Sequence, residues 1–143
     1  MEIESVERNK GVMRKIVELN DAKDFYAYME FVSEDFVGHT VFVPGDLHGN
    51  RSLSDFFYLT EAVAFPDGRH TIHHLFGEGD FVTLDVAYKG TFTGTLPDGT
   101  PPNGKVVEFH YNILCRFGAD TKLAELWWFP FDSYGLMTEL GMI

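Results

Sequence analysis

The stretch Val106-Val107-Glu108-Phe109-His110-Tyr111-Asn112-Ile113-Leu114-Cys115-Arg116-Phe117 changes character at nearly every step. Its odd positions from Val107 to Phe117 are all apolar, while the even positions include Glu108, His110, Asn112 and Arg116. Successive side chains of a strand point to opposite faces, so the pattern predicts a long strand with one face on a core and one polar face. Turn residues stand on both sides of it: Gly79-Asp80, Pro97-Asp98-Gly99 and Pro101-Pro102-Asn103-Gly104 before, Gly118-Ala119-Asp120 after. Such clusters supply the backbone angles of tight connections. From Arg69 onward they divide the chain into four long antiparallel strands. The last, Leu123 to Phe131, is apolar on both faces, and Ser133 to Met142 reads as a short closing helix or turn.

Upstream the period becomes helical. Val12, Ile16 and Leu19 recur at helical spacing between about Glu4 and Leu19. Asp21 is placed to cap a second helix carrying Phe25, Tyr28, Met29 and Val32, and Asn50 to cap a third from about Arg51 to Phe65. Pro66-Asp67-Gly68 ends that third helix, and the extended piece Asp35 to Val43 stops at Pro44-Gly45. Helices followed by strands argue for an α+β fold rather than a parallel βαβ one. The expectation is one domain over residues 1–143, with three N-terminal helices packed against a curved, mainly antiparallel sheet. A twisted sheet does not close flat on helices, so a cavity between the layers is expected.

Of the 143 residues 45% are hydrophobic and 15% aromatic, enough for one core and for a cavity walled by rings. An apolar aromatic small molecule is the partner such a cavity suits. The net charge of −11 repels phosphate backbones and anionic lipids, which argues against nucleic acid and membrane partners. The polar start MEIESVERNK is not a secretory signal and no run is long enough to span a bilayer, so a cytoplasmic location is expected. Cys115, the one cysteine, lies in an apolar run and reads as a buried structural thiol. His48, His70, His73 and His74 lack metal-ligand spacing, so no metal site is expected.

Several stretches in order resemble one family. They include Asp35-Phe36-Val37-Gly38-His39, Phe65-Pro66-Asp67, Gly77-Glu78-Gly79-Asp80-Phe81-Val82 and Gly90-Thr91-Phe92-Thr93-Gly94. They continue with Pro101-Pro102-Asn103-Gly104-Lys105, Leu114-Cys115-Arg116-Phe117, Glu125-Leu126-Trp127 and the run Asp132 to Gly141. Together they are similar to the SnoaL-like polyketide cyclases, within the nuclear-transport-factor-2-like (NTF2-like) group. The resemblance implies a cone-shaped α+β barrel, no cofactor, a homodimer or higher homo-oligomer, and ring closure of a polyketide-derived aromatic substrate. It also exposes departures: Phe92 stands where members often have His, Asn103 where they have Thr, and Trp128 where a Trp-Asp pair would place an acid.

Aldol-type closure needs a partly desolvated base beside a carbonyl and hydrogen-bond donors for the enolate. Asp132, after Trp128-Phe129-Pro130-Phe131, is either that base or the cap of the terminal segment. His110 is either a proton shuttle or a solvated or interfacial residue, depending on which way its strand face looks. Glu125 alternates with Leu123 and Trp127 and is either a cavity base or the ion-pair partner of Arg116. His39 either orients a substrate carbonyl or holds its loop. His73 and His74, adjacent on a strand, project to opposite faces, so at most one, taken as His74, reaches the cavity. Phe56, Phe57, Trp127, Trp128 and Phe129 supply stacking surface for a planar ligand. The same cavity would serve a non-catalytic binding protein or a related hydroxylase.

Overall fold

A computed structural model describes residues 2–143. Helix α1 spans Glu2–Asp21; of the stripe read from the sequence Ile16 is buried and Val12 and Leu19 are half-buried against the core, while Met13 and Val17 complete the buried face. Two residues beyond its end, Lys23 takes a φ of 62°, in the left-handed region. The expected second helix does not form: the chain turns through 22–28 and makes only a short 3-10 turn, Met29–Phe31, before strand β1, Val32–His39. Its apolar residues still serve the core, since Phe25, Tyr28 and Val32 are buried. Asp21 caps nothing there; its carboxylate accepts from the backbone N–H and the ring Nδ1 of His70, 49 residues on.

After the two-residue strand β2, Leu47–His48, helix α2 covers Asn50–Phe57 and continues as a π-helical segment, Tyr58–Ala64. The expected third helix is thus present with a wider second half. Thr60 donates its hydroxyl to the Phe56 carbonyl at 2.8 Å, satisfying an acceptor where the ladder changes pitch. Strands β3 (Arg69–Glu78), β4 (Phe81–Thr91), β5 (Val106–Phe117) and β6 (Leu123–Pro130) follow, and helix α3, Ser133–Leu140, closes the chain.

The sheet order is β2-β1-β6-β5-β4-β3, antiparallel throughout except for the parallel pair β1 and β6. Three register shifts, at Val32/Val37, Ile72/His74 and Arg116/Phe117, insert residues into one strand of a pair and bend it. The sheet curls around α1, which packs on β3 and β4, and α2, which packs on β1. The alternation along β5 holds: Val107, Phe109, Ile113, Cys115 and Phe117 are buried, while Glu108 and His110 are exposed.

Two core clusters share the concave side. The larger joins Met13, Phe36, Leu53, Val82, Leu84 and Leu126 among others. The smaller gathers Phe65, Tyr88, Phe92, Leu96, Phe109 and Leu140 at the α3 end. Phe92 is fully buried with its ring 5.4 Å from that of Phe65, so the position holds core rather than a polar site group. The glycines around it permit close backbone approach: a Cβ on Gly94 would stand 1.8 Å from the Val63 carbonyl oxygen.

Candidate functional site: a buried acid in an aromatic pocket

An aromatic pocket opens on the concave side between the π-helical segment and strands β4, β5 and β6. Phe56, Phe57, Thr60 and Glu61 descend from the helix, at the four- and five-residue spacings that share one helical face. Tyr88, Phe109, Tyr111, Trp128 and Pro130 rise from the sheet, and Thr40, Val41, Phe42, Phe65, Leu96 and Leu136 complete the lining. Its free volume is about 50 Å³. One water needs roughly 10–15 Å³ on this scale, so the pocket takes a few water-sized groups.

Glu61 is the carboxylate of this lining, and it is only 4% exposed. Its Oε1 has no hydrogen-bond partner and lies 3.8 Å from His70 Nδ1. Burial penalises the charged form and pushes the Glu61 carboxyl up to about 7, although His70 and Lys23 pull it back toward ionisation. The His70 ring nitrogen donates to Asp21 at 2.6 Å, and the ring lies 4.5 Å from that of Tyr88. Burial opposes the His70 cation, but Glu61 and the Asp21 hydrogen bond outweigh it and hold its pKa above the usual value. Lys23 donates to the Gly68 carbonyl at 3.2 Å, and desolvation lowers its pKa.

Two acids and two bases are therefore gathered from α1, the turn after it, the π-helical segment and β3. Donor atoms of Asp21, Glu61 and His70 lie within 4.8 Å of one another, the one such set found among the described residues. The His70 Nδ1 proton already points at Asp21, and Lys23 adds a positive charge, so the geometry is that of a charge-balanced cluster. A divalent cation would have to displace that proton. Tyr111 and Tyr88 complete the polar lining; burial raises both phenols, so they are neutral donors near neutral pH.

The residues singled out in the sequence are divided by the sheet. Phe57 lines the pocket. Trp127 and Phe129 do not: β6 turns Leu126, Trp128 and Pro130 inward, and Phe129 is 51% exposed. The cause is the shift beside Arg116/Phe117, where Leu123 pairs with Phe117 but Glu125 with Arg116, leaving Ala124 as the extra residue. Leu123 and Leu126 are both buried, and Glu125 and Trp127 fall on the convex face. There Glu125 receives a hydrogen bond from Arg116 Nε at 3.3 Å and pairs with His39 Nε2 at 2.7 Å. The other nitrogen of His39 pairs with Asp46 at 2.8 Å, and its ring stacks on Trp127 at 5.2 Å.

Asp132 is exposed and caps α3, accepting from the Gly135 N–H at 2.8 Å. His110, also exposed, pairs with Glu108 at 3.1 Å and stacks on Phe131. Asp132 and His110 border the same outer groove, separated from the pocket by Phe109, Pro130 and Leu136, which line both. His74 pairs with Asp85 at 2.8 Å with its side chain 70% exposed; the shift at Ile72/His74 leaves His73 exposed as well. Cys115 is fully buried, and burial pushes its thiol well up. Phe56 and Trp128, also read as stacking surface, do line the pocket, whereas sequence reasoning missed Glu61, His70, Tyr88 and Tyr111 as site residues. The available signal was a carboxylate four residues after Phe57 on a face otherwise apolar.

No helix among the described residues is long and apolar enough to cross a membrane. No curated protein sequence matches the chain. Solved structures do match in fold. AclR from Streptomyces galilaeus, a proposed hydroxylase, superposes with a TM-score of 0.77 at 22% identity, covering 96% of this chain and 98% of that one. A proposed SnoaL-like polyketide cyclase from Jannaschia sp. CCS1 gives 0.78 at 20% identity, covering 96% and 94%. IdmH from Streptomyces antibioticus, a proposed polyketide cyclase, gives 0.72 at 21% identity, covering 94% and 99%. The neighbours also include NTF2-like and ketosteroid-isomerase-like folds, so the architecture is the expected one. Residues 10–140 match the family model described as SnoaL-like polyketide cyclase, and the chain belongs to that family.

Proposed function

We propose that this protein is a cofactor-free acid/base enzyme of the polyketide cyclase type, acting on an aromatic or polycyclic small molecule that enters the concave pocket as its aromatic side chains move apart, with Glu61 as proton acceptor. The observation that carries the reading is a buried carboxylate with a free oxygen in an otherwise apolar, aromatic pocket. A base is most useful when its pKa sits near working pH, and a value of about 7 meets that requirement. Glu61 would take the proton from carbon next to a substrate carbonyl, and the Tyr111 phenol would donate to the enolate oxygen, the Tyr88 hydroxyl being held by the Phe65 carbonyl. Protonated Glu61 can then return its proton to the alkoxide formed on ring closure, so no external acid is consumed.

The reading is tested with 5-nitrobenzisoxazole, a flat aromatic whose ring opens when a base removes its carbon-bound proton and the N–O bond breaks. The expected result is a protein-dependent rate that rises through about pH 7, survives dialysis against EDTA and falls about 10²–10⁴-fold in Glu61→Gln. An unchanged rate in Glu61→Gln overturns the assignment. Tight binding of planar ligands without turnover would mark a carrier, and ligand-dependent oxygen consumption a hydroxylase.

A further inference from the structure

Asp21, Glu61 and His70 come from three elements that the sequence keeps far apart: the end of α1, the π-helical segment and the start of β3. Each offers one ligand atom, and the three atoms lie within 4.8 Å of one another. His70 Nδ1 stands 2.6 Å from Asp21 Oδ1 and 3.8 Å from Glu61 Oε1. A tetrahedral ion with bonds of about 2.0–2.2 Å holds its ligands about 3.3–3.6 Å apart, so shifts of about an ångström close the three on one centre.

Glu61 Oε1 is the atom that points to a ligand. Its side chain is 6% exposed, the oxygen has no hydrogen-bond partner, and the ring nitrogen it faces already donates to Asp21. A buried carboxylate needs a pairing group or a metal, and the chain leaves this oxygen with neither. Asp21 is held in place by the His70 backbone N–H at 3.1 and 3.2 Å, the kind of support that orients a ligating side chain. Lys23 and Arg69 stand beside the cluster and oppose a cation, but both are tied to backbone carbonyls. Lys23 donates to Gly68 at 3.2 Å, and Arg69 to Asp21 at 2.9 Å and Gly68 at 3.0 Å. One imidazole and two carboxylates suit Zn²⁺ or Co²⁺, whereas Mg²⁺ and Ca²⁺ seek about six or more oxygens. Glu61 also lines the open aromatic pocket, which supplies the route of entry.

We propose that Asp21, Glu61 and His70 form a binding site for one divalent ion of the Zn²⁺ class. The ion displaces the Nδ1 proton of His70, which passes to solvent while Nε2 keeps its own, and it takes the free oxygen of Glu61. Bound there, it occupies the oxygen assigned above to proton abstraction, so it inhibits the enzyme and is not its cofactor. Binding itself does not depend on that role of Glu61.

Calorimetric titration of the tag-free, EDTA-treated protein with Zn²⁺ tests the site. One ion per chain is expected, with no binding of Mg²⁺. Glu61→Gln and His70→Gln should each weaken Zn²⁺ by about tenfold or more. Lys23→Met, which removes an opposing charge, should strengthen it about two- to fivefold, a gain that damage to the fold does not produce. His39→Gln should leave it unchanged, although that ring also lies between carboxylates, those of Asp46 and Glu125. Co²⁺ gives the answer without a substitution. It should show the visible spectrum of a four-coordinate ion and broaden the ring resonances of Tyr88, 4.5 Å from His70, while Trp127, stacked on His39, stays sharp. Absence of Zn²⁺ binding, equal binding of Mg²⁺, weaker binding in Lys23→Met, or broadening at Trp127 instead of Tyr88 overturns the site. Zn²⁺ bound as expected with the ring-opening rate unchanged upholds the site and overturns Glu61 as the base.

Discussion

The molecule carries two histidine–carboxylate clusters, one on each side of its sheet, built from the same residue types with opposite electrostatic results. On the concave side Glu61, His70 and Asp21 are enclosed, with the Glu61 and His70 side chains 6% and 4% exposed. On the convex side Glu125, His39, Asp46 and Arg116 are open to water, with Glu125 23% and His39 31% exposed. Burial pushes Glu61 up to about 7. The hydrogen bonds of His39 and Arg116 outweigh desolvation at Glu125 and hold its carboxyl below the usual range. Partner identity is similar in the two places. What separates a poised base from a fixed anion is how much water each carboxylate gave up on folding.

The two clusters separate most clearly when their carboxylates are exchanged for amides one side at a time. Glu61→Gln is expected to lower the ring-opening rate about 10²–10⁴-fold, while Glu125→Gln leaves it within about twofold. Equal losses would mean that the convex cluster takes part in chemistry and that burial is not the deciding variable.

The next effect is on stability against pH. Glu61 has a folded-state pKa raised from 4.5 to about 7, so its contribution is present below about pH 4.5 and is lost as pH rises through 7. His70, also raised, acts in the same sense: its contribution is present below 6.5 and lost above its folded value. The convex cluster behaves differently. Glu125, lowered, contributes above 4.5 and His39, raised, contributes below 6.5, so that side is strongest between the two. Thermal melts from pH 5 to 8 should therefore show the wild type losing stability relative to Glu61→Gln as pH rises. A difference between the two proteins that does not change with pH would refute the buried-acid account.

The two sides were also unequally legible in the sequence. The fold was readable because long periodic segments dominate it: the alternation of Val106–Phe117 and the helical spacing of Val12, Ile16 and Leu19 survive any shift of one boundary, even though the buried face of α1 centres on Met13, Ile16 and Val17. Phe25, Tyr28 and Val32 shared a helical spacing yet formed no helix, because burial of those side chains was satisfied by a turn and the start of β1. The convex pairing of Glu125 with Arg116 was foreseeable as a cross-strand neighbour. The concave site was not, for two physical reasons. One extra residue, Ala124, reverses the phase of β6, so period-two counting from Leu123 put Trp127 inside where Trp128 belongs. The Asp21–His70 contact joins residues 49 apart that only the packing of α1 on β3 brings together.

A smaller effect is expected on the convex face itself. Glu125→Gln removes the charge that accepts from Arg116 and His39, both of which remain solvated. Partly exposed pairs contribute about 0–1 kcal/mol and weaken with salt. Chemical denaturation at low and high ionic strength should show a loss of that size which shrinks as salt is added. A loss of several kcal/mol, indifferent to salt, would make the convex cluster as enclosed as the concave one and remove the contrast.

The smallest expected change is the one that separates the two roles open to Asp132. As the cap of α3 it needs only an oxygen to accept from the Gly135 N–H, and Asn supplies one almost as well as Asp. Asp132→Asn should therefore alter stability by a few tenths of a kcal/mol and leave the ring-opening rate unchanged, whereas Asp132→Ala should cost about 1 kcal/mol. Because α3 is eight residues long and places Leu136 on the pocket rim and Leu140 in the core, the alanine variant should also speed hydrogen exchange along Ser133–Leu140. A base cannot tolerate the amide, so a rate that collapses in Asp132→Asn while exchange along α3 stays slow would move the proton acceptor from Glu61 to the outer groove.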